Sequence, residues 1–300
     1  MKYTQPALSF DQQAQRLIDR GLIVEDKAAL VQCLSRVNYY RLSAYWYPFK
    51  KTSGEFFTSG TTFKMIWQRY TFDRELRLLV MDAIEHVEVA ILRTRMVEQF
   101  TRLRGPFCYC DPKNLNPTFS RADYTRLLRD VDEAVDRSTE EFVKRFRMKY
   151  TSEPRLPLWM AAETMTFGQL YTVFRYLHRN EQKMLANQFN LFPPVLESWL
   201  HTLNFIRNAC VHHARLWNRE IPIRPKLPDE RHHPAWYSPV SFGNERIFAV
   251  LTLLLYLLGY IDPHHDWQVR LEKLLANYIE IPIHMMGFPT NWFDCPVWKK

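Results

Sequence analysis

Apolar residues recur every three to four positions along most of this chain, the period of helices that bury one face. In "SFDQ", Ser9 and Gln12 form a capping-box pattern that opens a first helix, and Gly21 marks its end. A second helix begins near Asp26 and carries "KAALVQCLSRVNYYRLSAYWYPF". The stretch "KKTSGEFFTSGTT" reads as a loop or small hairpin. A long helix follows over residues 63–102, with one break near Phe72; Leu76, Val80, Ile84, Val87 and Ile91 supply its apolar stripe. Beyond the connector "GPFCYCDPKNLNPTFS", Ser120 and Asp123 form another box and open a charged helix to about Tyr150. "PRLPLWMAAETMTFGQLYTVFRYL" and a short helix over residues 180–188 lead to a helix over residues 194–217, which starts at the prolines of "FPP". Five prolines in residues 221–239 forbid a continuous helix there. C-terminal helices occupy residues 242–280, the last launched by Asp262 in "DPHHDW" and ending near Ile279. No period-two alternation marks a sheet, and no repeat is visible. The expected fold class is all-α: a small N-terminal helical subdomain over residues 1–60, then a helical domain over residues 61–300. In the latter, the helix from Phe63 packs beside the helix from Pro194, and the apolar helix from Ile247 completes the core.

The helix over residues 194–217 has an unusual polar face. On a helical wheel, Leu196, Trp199, Leu203, Ile206, Cys210, Ala214 and Trp217 gather on one side as an ordinary core stripe. The opposite side carries His201, Asn204, Asn208, His212 and Arg215. A solvated helix face usually carries Lys and Glu, which form helices well and hydrate readily. Asn208 and His212 are four apart and share a face, while Arg207 leaves the helix about 140° from His212.

Composition adds a partner class. The formal charge is +8, which favours an anionic partner: RNA, DNA or a membrane surface. The membrane is disfavoured, because the longest apolar run, Ile247–Ile261, falls short of the roughly 20 residues that span a bilayer. That run reads as a buried core helix. "MKYTQPALSFDQQAQ" lacks the apolar stretch of a signal peptide. Five scattered cysteines (Cys33, Cys108, Cys110, Cys210 and Cys295) form no CxxC pair and read as reduced thiols in a cytoplasmic protein. The pairs His232/His233 and His264/His265 come with no HExxH or CxxC pattern, so neither a metal nor another cofactor is expected. The two N-terminal helices resemble a helix-turn-helix on paper. Their aromatic end (Tyr39, Tyr40, Tyr45, Trp46 and Tyr47) suits either stacking on bases or packing of the subdomain against the body.

The polar face can run one reaction in particular, cleavage of an RNA phosphodiester. The ribose 2′-OH needs a base, the 5′-oxygen needs an acid, and the transition state needs positive charge and hydrogen-bond donors. Histidine serves as acid or base near neutral pH, and arginine offers a planar, permanently charged fork to phosphate oxygens. Asn208 can orient the imidazole or donate to phosphate. On these residues alone, a polar stripe packed against a second helix explains the face as well.

"RNACVHHARLWNR" resembles the Arg-x4-His motif of HEPN ribonuclease domains. More narrowly, the chain is similar to the abortive-infection (Abi-like, AbiD/AbiF) family of bacterial phage-defence proteins. "LSFDQQAQRLIDRGLIV", "VNYYRLSAYWYPF", "YTFDRELRLLVMDAIEHVEVAIL" and "LPLWMAAETMTFGQL" look like that family's blocks in the same order. The resemblance implies a HEPN-like helical core and a metal-independent endoribonuclease of a phage-defence or toxin–antitoxin-like system. It implies Arg207, His212 and Asn208 as catalytic residues. With one such motif per chain, it also implies a homodimer that joins two motifs in one site. RNA is the expected substrate, and a structured small RNA the expected regulatory partner. His213, Arg215, His201, Asn204 and Glu163 are candidates for RNA contact or support, with Glu163 also suited to a packing hydrogen bond or ion pair. The alternative is a non-catalytic module that grips RNA through the same face.

Overall fold

The computed structural model describes residues 2, 6–51 and 54–299. Among them lie the α-helices α1 (Phe10–Asp19), α2 (Lys27–Val37), α3 (Tyr39–Trp46), α4 (Phe63–Val87), α5 (Val97–Arg104), α6 (Arg121–Arg137) and α7 (Glu141–Lys149). They are followed by α8 (Leu158–Thr164), α9 (Phe167–Tyr176), α10 (Arg179–Asn187), α11 (Pro193–Val211), α12 (Ile247–Ile261) and α13 (Trp267–Asn277). Extended pairing among the described residues is limited to isolated bridges, such as Ile23 with Thr62 and Lys50 with Phe57. The fold is all-α.

Several helices are shorter than the apolar period implies, each for a local reason. The second expected helix splits at Asn38, which adopts φ 69°. Its Oδ1 accepts from the Tyr40 N–H at 2.9 Å to start α3. The expected helix to Tyr150 divides at residues 138–140. Thr166 and Gln169 form a complete capping box that separates α8 from α9. Asp262 does not launch α13; it closes α12, and α13 starts at Trp267. The break expected at Phe72 is absent, and Phe72 is a buried core residue. The irregularity falls later: Glu88–Met96 is π-helical and joins α4 to α5 without interruption. Residues five apart are neighbours across a π-turn. This brings Arg93 Nε to Glu88 Oε1 at 3.1 Å and turns Arg93 Nη2 onto the Met165 carbonyl at 2.8 Å.

Two apolar clusters result. The smaller joins Leu17, Leu30, Leu34, Leu42 and Trp46 of α1–α3 to Ile66 in the first turn of α4. The larger begins at Phe72 and continues to Trp298. At its centre α4 packs against α11, as the sequence leads one to expect, and also against α12 and α13. α12 is buried along most of its length, and no helix is long and apolar enough to cross a membrane. Residues 281–298, which carry no helical period, cover α12 through Phe288, Trp292 and Trp298; Trp298 stacks on Phe248 at 5.6 Å.

The proline-rich loop covers the Trp199–Thr202 flank of α11. Trp199 Nε1 donates to the Lys226 carbonyl at 2.7 Å, and Thr202 Oγ1 to that of Ile223 at 3.0 Å. His233 is buried in this loop, and burial holds its ring below the ordinary imidazole value of 6.5. The folded state therefore favours neutral His233. That contribution is full above pH 6.5 and is lost as the pH falls below it toward the depressed native value. Thermal melts between pH 8 and pH 5 should show a steeper acid loss for wild type than for His233→Gln. Equal slopes would place the acid sensitivity elsewhere.

Candidate active site

α11 ends at Val211, earlier than its apolar stripe suggests, because the chain turns at His212 and His213. The Ala214 N–H donates to the Ala209 carbonyl at 2.8 Å, and the His213 N–H to that of Cys210 at 2.9 Å. These are the two bonds of a Schellman cap, in which the residue after the cap is left-handed. Here that residue is His213, at φ 56°. Glycine is the usual occupant, since a Cβ is strained there. His213→Gly should therefore stabilise the protein by about 1 kcal/mol in urea unfolding. Unchanged or lower stability would mean that contacts of the ring outweigh the strain.

This cap fixes where each candidate side chain stands. His212 occupies the cap itself; its ring is exposed, and its N–H donates to the Asn208 carbonyl at 3.0 Å. Asn208 is exposed one turn earlier. Arg207 leaves the shoulder of α11 half-buried, but its guanidinium swings round, and Nη1 donates to Asn208 Oδ1 at 3.4 Å. Arg207, Asn208 and His212 thus share one open helix end. Cys210 beside them is buried, which pushes its thiol up to about 12 and makes it a poor nucleophile.

The other candidates stand apart. His201 lies about 16 Å further back along the axis at 1.5 Å per residue. It is exposed and stacks on Tyr171 of α9 at 5.3 Å. Asn204 packs over Gly168, where an added Cβ would sit 3.5 Å from its Oδ1. Glu163 is exposed on α8, and among the described residues its carboxylate has no hydrogen-bond or ion-pair partner. Arg215 is not on the helix face at all. The chain has already turned, and Arg215 Nη1 donates to the Ala44 carbonyl of α3 at 2.6 Å. Burial lowers its pKa from the usual guanidinium value.

What holds this turn was not among the candidates. Arg69, Asp73 and Arg77 follow at intervals of four and so line one face of α4. Asp73 is 0% exposed. Its Oδ1 accepts from the Leu216 and Trp217 N–H groups at 3.0 and 2.6 Å. Its Oδ2 accepts from the Tyr45 hydroxyl at 2.6 Å and pairs with Arg77. Burial pushes the carboxyl up, and Arg77, Tyr45 and the two N–H groups pull it back. Arg69 is held over two rings, Phe49 at 3.9 Å and Trp217 at 4.7 Å, and burial brings its guanidinium down to about 10. Arg41 Nη1 donates to the His213 carbonyl at 3.0 Å. α3 and α4 therefore clamp the chain on the far side of His212. The spacing of four in "RYTFDRELR" was the available signal for that clamp.

Among the described residues, no group of three or more His, Cys, Asp or Glu side chains comes together that could hold a metal ion. All five cysteines are free.

Fold and site together define an all-helical protein that presents an arginine, a carboxamide and an imidazole on a braced helix end. An Abi-like protein family model matches residues 32–218, more than half of the 300 residues, and the chain belongs to that family. The matched stretch opens inside α2 and closes one residue past Trp217, so it contains Arg207, Asn208, His212 and the whole Asp73 clamp. No curated protein and no solved structure matches the chain.

Proposed function

We propose that this protein is a metal-independent endoribonuclease of bacterial phage defence, built on a HEPN-type helical core and acting as a cytoplasmic homodimer. One observation carries the reading: exposed Asn208 and His212 and half-buried Arg207 stand together at the end of α11, beside a turn that the rest of the chain immobilises. Membership of the Abi-like family supports the defence role. In the mechanism, the His212 imidazole of one chain takes the proton of the ribose 2′-OH. The 2′-oxygen attacks the adjacent phosphorus, and the 5′-oxygen leaves with a proton from the second chain's imidazole. Arg207 pairs with the non-bridging oxygens as charge builds on them, and Asn208 holds the guanidinium on the exposed face. The products are a 2′,3′-cyclic phosphate and a 5′-hydroxyl.

The test is RNA cleavage by purified protein in excess EDTA, beside Arg207→Ala and His212→Ala. Cleavage by wild type that is lost in both variants, with cyclic-phosphate ends, supports the reading. RNA that is bound but left intact by wild type would replace it with a non-catalytic grip on phosphate.

A further inference from the structure

The outer face of α3 forms a continuous surface that leads to this turn. Tyr40, Ser43 and Tyr47 follow at intervals of three and four and share that face. Tyr40 is 76% exposed and Tyr47 is 73% exposed, far more than the packing of a subdomain requires. Two cavities flank them. One, of about 620 Å³, lies between α1 and α3; Tyr39, Tyr40 and Trp46 meet Arg16, Arg20 and Lys50 in its wall. The other, of about 350 Å³, is lined by Ser43, Ala44, Tyr47, Arg215 and Arg219. Ser43 lines both, so the two lie side by side along α3. The carboxylate in these walls is Glu55, which is held by Arg16 and Arg20.

The second cavity is linked to α11 through one of its lining residues. Arg219 sits over the Phe205 ring at 5.2 Å. Phe205 precedes His212 by seven residues, so the two project about 20° apart around the helix. Arg41, next to Tyr40, binds the His213 carbonyl. Cations and exposed aromatic rings thus run from α1 along α3 toward the α11 turn, which Arg41 touches at the His213 carbonyl.

We propose that this face is a single-stranded RNA path that delivers the strand to the α11 turn. It rests on the RNA reading above for what happens at its end, but its own claim is binding. Unpaired bases stack on exposed tyrosines, while the arginines follow the phosphates; a duplex offers such rings no free base face. An acidic peptide would match the cations but leave the two tyrosines without a flat partner.

Binding is measured by fluorescence anisotropy on the full-length His212→Ala protein, with a short single-stranded RNA and with its blunt duplex. Tyr40→Ala and Tyr47→Ala should each weaken single-strand binding about tenfold, with melting temperatures unchanged. Arg219→Ala should lower the slope of log affinity against log salt by about 0.7. Single-strand affinity within twofold of the parent in the Tyr40→Ala/Tyr47→Ala double variant overturns the path, even where wild type cleaves RNA. Equal affinity for the duplex, or no RNA binding at all, overturns it too. Binding that depends on both tyrosines, with no cleavage by wild type, upholds the path and overturns the nuclease.

Discussion

Asp73→Ala should destabilise the protein by about 3–5 kcal/mol, the cost of removing one partner from a buried ion pair. The alanine leaves Arg77, itself 6% exposed, without its counter-charge. It also orphans the Leu216 and Trp217 N–H groups and the Tyr45 hydroxyl, all of which end on this one carboxylate. Denaturant unfolding measures the loss. Asp73→Asn should cost less, because Oδ1 can still accept from the two N–H groups. Combining Asp73→Asn with Arg77→Met should recover part of the loss, since no charge is then left buried alone. A loss below about 1 kcal/mol for Asp73→Ala would mean that water or neighbouring groups replace the carboxylate, and that the turn after His212 is held by its cap alone.

The helical class, the order of the helices and the pairing of α4 with α11 were legible in the apolar period, because that period directly records which side of a helix is buried. The places where helices stop were less legible. Tyr39–Trp46 continues the spacing of α2, and Asn38 breaks the helix through its backbone conformation and its side-chain cap on α3. Thr166 and Gln169 did spell a capping box, but inside an apolar stretch that reads as one helix. The end of α11 was hidden because its cap uses His213 where glycine is usual. The wheel was therefore carried past the turn, and Arg215 was placed on a face it does not occupy; Trp217 is buried as expected, but from beyond the helix. The placement of Arg207 and Asn208 on α11 followed from the wheel, since both lie before its end, and His212 sits at the cap itself. Asp73 was not: a carboxylate four residues from an arginine looks like a surface pair until tertiary structure buries it.

His212→Ala should lower RNA cleavage by about 10²- to 10⁴-fold, the range for losing a general acid or base. Its stability should stay within about 0.5 kcal/mol of wild type, because the ring is exposed and the cap is made by backbone groups that alanine retains. Arg207→Ala should lose at least about 10²-fold, as removing a donor to developing negative charge does. Asn208→Ala should lose less, since it acts on Arg207 through a 3.4 Å contact. These losses differ in kind from that of Asp73→Ala, which should lower cleavage and melting temperature together. If two chains build the site, wild-type activity per chain should also fall on dilution through the dimer dissociation range, with no change in the melting of the monomer fold. A His212→Ala protein that melts with wild type and leaves RNA intact assigns the chemistry to the imidazole and the architecture to the clamp. One that cleaves at the wild-type rate removes the turn from the chemistry, and the exposed face of α11 is then a phosphate grip.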